Sequence, residues 1–288
     1  MSGGTVLPKL EQFIKEREYV NNVSPATVQW YEQSLCWLST ESPTTEDIRT
    51  LVMHLRERGL ESVSVRSRLQ AVKAYCRWAG LTVVIPKMKI EERVLPTFDA
   101  AHVKRLMQWR PRTTPQHRLQ ALVATLCDSA ARIDELLNLH WPDVDFDNLL
   151  LTLHGKGRKD RKVPMSFELR KRLFLWQRKS ERNGGLVFGT RGGTKQGRRN
   201  VLRDVKALCR ELGFEPPERT LHSFRHTFAL NYLRNGGSVF HLQKCLGHSS
   251  LEMTRRYANL TTGDLQAVHE RLSLLGNARH AGAGVGRA

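Results

Sequence analysis

The sequence predicts a mainly α protein with a small β-sheet, an α+β fold in two domains. Helical periodicity fills most of the chain, one short stretch alternates as strands do, and a proline-containing stretch without helical period separates the first helices from the rest. A chain of 288 residues is long enough for two domains, each with its own core. We expect a helical domain over residues 1–85, a linker over 86–97, a second domain over 98–275 and a disordered tail over 276–288.

Three strong helices are predicted in the first domain. SPATVQWYEQSLCWLS begins with serine and proline, which are common at the N-cap and the first helical position, and TTEDIRTLVMHLRERG begins with threonine and ends at glycine. SVSVRSRLQAVKAYCRWAG has an apolar face that includes Val65 and Leu69. It also carries a parallel basic stripe, which fits either a solvated surface or contacts with DNA phosphates: Arg66, Lys73 and Arg77.

The second domain is predicted to be helical around a short strand region. In DFDNLLLTLHGKGRKDRKVPM, the alternation and the central Gly-Lys-Gly indicate two strands joined by a basic turn. An amphipathic final helix is predicted over 262–275. The other predicted helices of this domain span 99–109, 116–128, 167–181, 200–212, 223–235, 239–246 and 251–257.

Composition and charge favour a soluble protein with a polyanionic partner. The formal net charge is +18, and the chain is 40% hydrophobic and 26% charged. The five cysteines are odd in number and never form C-x-x-C, which argues against a disulfide framework or zinc ribbon and for a reducing compartment. Because no apolar signal region or membrane-length apolar stretch occurs, we expect a cytoplasmic, nucleoid-associated protein without membrane contact.

Four short segments of the second domain carry residues typical of a reactive site. SAARIDELLNL places Arg132 at a helix start with Glu135 one turn later, and HGKGRKDRKVP crowds five basic residues into a glycine-flanked turn. LHSFRHTFALNYL places His222 and Arg225 on one side of a helix start, where the positive end of the helix suits a phosphate. LGHSSLEMTRRYANL carries a histidine and, nine residues on, a tyrosine: His248 and Tyr257.

A zinc site is the alternative at the third segment. His222 and His226 are four residues apart, a spacing that zinc-binding helices also use. However, no glutamate lies between them as in H-E-x-x-H, no cysteine is close, and Arg225 would repel a cation. We therefore expect no metal and no other cofactor, and interpret His226 as a structural histidine hydrogen-bonded within the helix bundle.

Together the four segments carry residue types that can bind and cleave a phosphodiester. Guanidinium groups bind phosphate oxygens bidentately and stabilise the negative charge that builds in a pentacoordinate transition state. A tyrosine is a competent covalent nucleophile when a base and a cationic setting lower its pKa. A lysine on a turn can protonate a departing 5′-oxygen. These residue types therefore predict cleavage of DNA by a tyrosine without a metal.

The order Arg–Lys–His-x-x-Arg–His–Tyr in these segments resembles the tyrosine site-specific recombinases, the integrase family. The likeness to that family's DNA breaking-rejoining catalytic domain spans about residues 98–275, and the first domain more loosely resembles its helical, SAM-like core-binding domain. The layout is similar to Xer-like recombinases and to transposon-borne resolvases and integrases, and an arm-type DNA-binding domain is expected to be absent. The resemblance implies DNA integration, excision or resolution through a 3′-phosphotyrosyl intermediate, without metal or ATP.

The resemblance also implies roles for the matching residues. Arg132 and Arg225 would clamp the scissile phosphate, and Glu135 would support the site without touching DNA. Lys156 would be the general acid toward the 5′-oxygen, with Lys159 as the alternative.

The histidines and the tyrosine complete the implied catalytic set. His222 would be the general base toward the nucleophile Tyr257, and His248 would hydrogen-bond the phosphate. Further contacts with DNA are expected from Arg66, Lys73, Arg77, Arg158, Lys159 and Arg161.

One departure from the family concerns the approach to Arg132. The family usually has Thr-Gly there, whereas this chain has Ser129, Ala130 and Ala131. Because alanine disfavours left-handed backbone, we expect an ordinary helical φ or a small local shift.

The resemblance implies double-stranded DNA with inverted-repeat sites as the partner and a homotetramer in the synaptic complex. The final helix over 262–275 would dock on a neighbouring protomer or pack on its own. Two alternatives keep the fold: a catalytically inactive DNA-binding regulator, and a type IB topoisomerase-like enzyme that acts as a monomer.

Overall fold

The computed structural model of the chain describes residues 7–89, 95–155, 160–180, 184–248, 250–260 and 269. The chain divides into two compact units, Met1–Arg93 and Val94–Ala288. Among the described residues, no helix combines the length and the apolar character needed to cross a membrane.

The described part of the first unit is helical. The chain enters its third helix through a capping box, in which the Thr44 side chain accepts from the backbone of Asp47 and the Asp47 carboxylate accepts from the backbone of Thr44. The core centres on Phe13, whose ring packs edge-on against Tyr31 and Tyr75. The helices are α1 Pro8–Tyr19, α2 Pro25–Leu35, α3 Thr45–Glu57 and α4 Ser62–Trp78.

Helix α4 has its apolar side chains on one face and its basic stripe on another, as expected from the sequence. Its apolar face is buried in the core of the first unit. Its basic stripe is exposed along the helix, at Arg66, Lys73 and Arg77.

In the second unit, helices surround a small antiparallel sheet of strands β1 Val144–Asp145, β2 Leu150–Leu153 and β3 Arg161–Pro164, in that order. Pairing of Leu151 with Val163 places two buried side chains on the core face of the sheet. The sheet has one strand more than predicted, because β1 is only two residues long and follows a 3-10 turn, Trp141–Asp143. The helices are α5 Ala100–Gln108, α6 Thr114–Ser129, α7 Ile133–Leu136, α8 Phe167–Ser180, α9 Arg198–Glu211, α10 Thr220–Arg234, α11 Val239–Leu246 and α12 Glu252–Leu260.

Two hydrophobic clusters hold the described part of the second unit together. The larger one joins α5, α6, α8, α9 and the sheet, because α6 buries residues on nearly all sides from Ala121 to Leu126. The smaller one joins the end of α6 to the last helices and contains Leu95, Ala130, Ala229, Leu230, Leu242, Leu246 and Tyr257. The smaller cluster therefore brings Tyr257 close to the segment that carries Arg132.

Several expectations concern residues outside the described part of the chain. They are the general acid Lys156, its alternative Lys159, the DNA contact Arg158, and the tail over 276–288. Of the final helix over 262–275, only His269 is described.

Candidate active site

Ala130 ends α6 in a left-handed conformation. Its φ is 52°, so the expectation of an ordinary helical φ at this position is wrong. The hydroxyl of Ser129 donates to the carbonyl of Thr125 over 2.6 Å and accepts from the backbone N–H of Ala131 over 3.3 Å, which holds both sides of the turn. The left-handed residue turns the chain sharply, so that Arg132 begins a new short helix.

Arg132 and Glu135 form the N-terminal cap of α7. The Glu135 carboxylate accepts from the Arg132 backbone N–H over 2.7 Å and from its Nη1 over 2.9 Å. The Arg132 side chain remains 42% exposed, whereas the Glu135 side chain is 6% exposed. The pairing expected from the sequence is therefore present, with the guanidinium at the surface and the carboxylate beneath it.

Arg161, at the start of β3, binds the same carboxylate. Its Nη1 and Nη2 donate to Glu135 Oε1 and Oε2 over 2.7 and 2.8 Å, and its Nε donates to the carbonyl of Cys245 over 2.8 Å. From the sequence, Arg161 was expected to contact DNA, but its side chain, 10% exposed, binds protein groups in the structure. We call Arg132, Glu135 and Arg161 the charged junction.

Glu135 is ionised because of its two arginine partners. Burial raises the pKa of a carboxyl group, but hydrogen bonds from Arg161 and Arg132 and the charge of Arg161 outweigh burial and lower the pKa of Glu135 to about 2. The charged junction therefore carries one negative and two positive charges at neutral pH.

Arg225 lies in α10 and is buried. Its Nη1 donates to the carbonyl of Ala130 over 2.8 Å and its Nη2 donates to the carbonyl of Leu246, so it joins the end of α6 to the end of α11. Burial, followed by the charges of Arg132 and Arg161, lowers the pKa of Arg225 to about 10. The guanidinium thus stays protonated at neutral pH, where it adds a further positive charge close to the charged junction.

His248 follows the C-cap of α11. The cap residue Gly247 has a φ of 62°. His248 Nδ1 is 2.9 Å from the Thr254 hydroxyl, and its ring is nearly parallel to that of Tyr257, at 9° and 6.4 Å between centroids. The turn between α11 and α12 therefore places the imidazole beside the helix that carries the tyrosine.

Tyr257 is buried in the smaller cluster, with 2% of its surface exposed. Its phenol oxygen is 2.8 Å from Nδ1 of His226, which is also buried, and His222 packs edge-on against His226 at 4.5 Å between centroids. From the sequence, His226 was expected to be a structural histidine, with no connection to the tyrosine. The sequence signal was its face: His226 lies one turn before Ala229 and Leu230, which are buried in the same cluster as Tyr257.

An open cleft of about 870 Å³ lies in front of the charged junction. It is lined by residues from α7, from the ends of β2 and β3, and from the α11–α12 turn, including Arg132, Glu135, Gly155, Asp160, Arg161 and His248. Gly155 and Asp160, the described residues on either side of Lys156 in the sequence, both line this cleft.

His154 holds the base of the same hairpin. Its Nε2 lies 3.0 Å from Asp143 and its Nδ1 lies 3.1 Å from Asp160, so one imidazole joins the end of β2 to the start of β3. Hydrogen bonds to these carboxylates raise the pKa of His154, which favours the protonated form that can donate to both.

A mainly helical fold with a small antiparallel sheet, two arginines on one carboxylate, a third, buried arginine near them and a buried tyrosine bonded to α10 fit one class of protein, an enzyme of DNA strand exchange. The chain belongs to the phage integrase family, whose model matches residues 96–263.

Relatives and a solved structure agree with this assignment. Tyrosine recombinase XerA of Pyrococcus furiosus is 30% identical over 93% of this chain and 95% of its own length. Tyrosine recombinase XerC of Xanthomonas campestris pv. campestris is 30% identical over 92% of this chain and 88% of its own length. The XerH site-specific recombinase bound to a palindromic difH substrate has the same fold, with a TM-score of 0.70 at 17% identity over 92% of this chain and 84% of that one.

Proposed function

We propose that this chain is a site-specific recombinase that cuts and rejoins DNA through a covalent 3′-phosphotyrosyl intermediate at Tyr257. The observation that carries the proposal is the position of Tyr257: its phenol is hydrogen-bonded to α10, the helix that also holds Arg225 and His222. The Xer relatives, which match over nearly the whole chain, support site-specific recombination as the overall reaction.

Arg132 and Arg225 bind the scissile phosphate in this proposal. Arg132 is half exposed at the cleft, and a guanidinium has five N–H donors, so the two carbonyl bonds of Arg225 leave donors for a phosphate. Negative charge grows on the non-bridging oxygens in the transition state, where two fixed guanidiniums stabilise it most. His248, at the edge of the same cleft, donates a further hydrogen bond to the phosphate.

The proposed reaction is balanced within the protein and DNA. The phenol oxygen of Tyr257 attacks phosphorus while its proton passes to His222, and the bond from phosphorus to the 5′-oxygen breaks as Lys156 protonates the leaving oxygen. The 5′-hydroxyl of a partner strand then reverses these steps. Because the phosphotyrosyl bond conserves the energy of the phosphodiester, the reaction needs no ATP, and because cationic side chains carry the charge, it needs no metal.

Tyr257 must move before it can attack. Its phenol is buried on His226, whereas Arg132 and His248 line the open cleft. We take the observed position as the resting state and expect α12 to shift when DNA fills the cleft.

The first unit acts as the core-binding domain and the second as the catalytic domain in this proposal. The exposed basic stripe of α4, Arg66, Lys73 and Arg77, contacts DNA phosphates. Four protomers assemble on two duplexes that carry inverted-repeat sites. In this proposal the enzyme acts on DNA in the cytoplasm.

A covalent capture experiment tests the proposed function. Nicked duplexes with randomised half-sites, which trap the covalent intermediate because the cut strand diffuses away, are incubated with the protein and recovered as complexes that survive denaturation. The wild type and Tyr232→Phe are expected to yield adducts, and Tyr257→Phe none. Tyr232 is the matched control because it lies in α10 of the same unit.

Each other outcome contradicts the proposal. DNA binding without adducts in the wild type would indicate a regulator, and adducts in Tyr257→Phe would assign another nucleophile. Relaxation of supercoils by a monomer, without joining of two duplexes, would indicate the topoisomerase. Loss of adducts in EDTA would require a metal.

A further inference from the structure

Arg161 is a buried charged residue that connects three parts of the site. From the first position of β3 it reaches Glu135 in α7 with two bonds and the carbonyl of Cys245 in α11 with a third. These elements lead to three different proposed catalytic residues: Arg132, Lys156 and His248.

The packing around Arg161 leaves its side chain little freedom. Gly247 lies so close that a Cβ built on it would be 2.9 Å from Cδ of Arg161 and 3.2 Å from its Nε and Nη1. A side chain at position 247 would therefore displace Arg161, and the positive φ of Gly247 disfavours one independently. The residue just before His248 is thus held directly against the Arg161 side chain.

The charge balance gives this contact a chemical consequence. If Glu135 paired with Arg132 alone, the carboxylate would offset the positive charge that a phosphate needs. With Arg161 making a bidentate pair with both carboxylate oxygens, one negative charge is shared between two guanidiniums. The charged junction then keeps a net charge of +1 at the cleft.

We propose that Arg161 is a positioning residue of the recombination reaction, which fixes α7, β3 and the end of α11 relative to one another and leaves the charge of Arg132 for the phosphate. This inference rests on the proposed function and deepens it. A positioning role is proposed instead of a DNA contact for Arg161, because its Nε, Nη1 and Nη2 all donate to protein oxygens.

The test compares cleavage with DNA binding in variants of the full chain. Single-turnover adduct formation and equilibrium binding are measured on a nicked duplex captured by the wild type. We expect Arg161→Met to lower the cleavage rate about 100-fold, as misplaced catalytic groups do, and to change binding by less than about threefold. Arg161→Lys keeps the charge without the bidentate fork, so a loss of about tenfold is expected.

Arg210→Met serves as the matched control, because Arg210 is an exposed arginine near the C-terminal end of α9 that pairs with the exposed Glu215. It should leave both measurements unchanged. A loss of binding as large as the loss of cleavage in Arg161→Met would overturn the inference and support a DNA contact. An unchanged cleavage rate in Arg161→Met would overturn it as well.

A double-mutant cycle keeps the inference testable if Arg161→Met destabilises the protein. Arg161→Met, Glu135→Gln and the double variant are compared by cleavage rate per folded molecule, with the folded fraction read from circular dichroism. Because Arg161 is proposed to act largely through Glu135, the double variant should lose at least tenfold less than the product of the single losses. A loss in the double variant equal to the product of the two single losses would show that the residues act independently and would contradict the proposal.

Adduct formation by the wild type also separates this inference from the proposed function. If the wild type forms no adduct, the proposed function itself is contradicted. Adducts in the wild type with unaffected Arg161 variants would remove only the role of Arg161.

Discussion

The charged junction and helix α12 are held in place in different ways. Five hydrogen bonds converge on or leave the junction: four from two arginines to Glu135, and one from Arg161 to Cys245. In α12, the side chain of Tyr257 packs in an apolar cluster and makes a hydrogen bond to His226. The junction is an ionic framework that spans several elements, whereas Tyr257, the proposed nucleophile, lies on a nine-residue helix.

This difference fits the two roles that we propose, stabilisation of phosphate charge by the arginines and attack by Tyr257. Groups that stabilise developing charge act best when they are fixed before the reaction, because reorganisation during the reaction is unfavourable. A nucleophile that must leave a buried resting position needs contacts that break at a modest free-energy change, and a neutral hydrogen bond contributes about 1 kcal/mol. In the proposed function, the site therefore combines a fixed half that binds phosphate, formed by the charged junction and Arg225, with a nucleophile, Tyr257, that moves to attack.

Replacing Arg225 should give the largest effect, because this residue joins two helix ends and, in the proposed function, also binds the phosphate. We expect Arg225→Ala to lower the adduct-forming rate by roughly 10²–10³-fold. We also expect it to lower the free energy of unfolding by about 2 kcal/mol, since the carbonyls of Ala130 and Leu246 lose their buried donor.

Arg132→Ala is the matched comparison for that prediction. Its side chain is 42% exposed, so the loss in cleavage should be similar, while the free energy of unfolding should fall by less than about 1 kcal/mol. Urea unfolding and single-turnover cleavage measure the two quantities. Equal destabilisation by both variants would contradict the view that Arg225, and not Arg132, has a structural role as well.

The pH dependence of stability tests the ionic character of the junction. The pKa of Glu135 is lowered to about 2, so its ionised form stabilises the fold fully above the pKa of an unfolded carboxyl, near about 4.3, and this contribution is lost as the pH falls toward 2. Glu135→Gln should therefore lower the free energy of unfolding by a constant amount, about 3 kcal/mol, between pH 8 and 5. The charged groups that face this carboxylate are Arg132, Arg161 and, farther away, Arg225.

Urea unfolding of the wild type and Glu135→Gln across pH 8 to 3 measures this contribution. The difference between the two proteins should shrink below about pH 4 as the unfolded carboxyl becomes protonated. A difference that already shrinks between pH 7 and 5 would mean that the carboxyl is not stabilised in its ionised form.

The bond between His226 and Tyr257 should have a smaller and more local effect. His226→Leu leaves the buried phenol without this partner, which should raise amide hydrogen exchange in α12 about tenfold and leave exchange in α7 unchanged. Tyr257→Phe should have a similar effect, and combining both substitutions should restore slower exchange, because the two partners of this hydrogen bond are then removed together. Exchange that rises equally in α7 would show that the two halves of the site are not independent.

The sequence predicted several local features around the candidate site, because they lie in short motifs with helical spacing. The pairing of Arg132 with Glu135 follows from their positions in one helical turn, and the burial of α6 follows from its continuous apolar run. The inward orientation of Arg161 could have been predicted from strand alternation. It lies two residues before the buried Val163 and so faces inward, unlike the exposed Lys162 between them.

These local patterns could not predict contacts between segments that are distant in sequence. Nothing local connects His226 with Tyr257, which is 31 residues away, or Arg225 with the carbonyl of Ala130, which is 95 residues away. Such pairs depend on how helices pack, and the packing follows from burial over the whole unit rather than from any one segment. The conformation of Ala130 was missed for a related reason, since tertiary contacts override the preference of alanine for right-handed backbone.

The smallest expected effect concerns the turn that positions the fixed half. Ala130 and Ala131 are adjacent and buried, but only Ala130 has a positive φ. Ala130→Gly relieves left-handed strain of roughly 1–2 kcal/mol, which offsets the lost methyl packing and the greater chain entropy of glycine. We expect its free energy of unfolding to lie within about 0.5 kcal/mol of the wild type, whereas Ala131→Gly gains no such relief and should lose about 1 kcal/mol. Urea unfolding of the two variants measures the difference, and equal losses would show that the φ of Ala130 carries no strain.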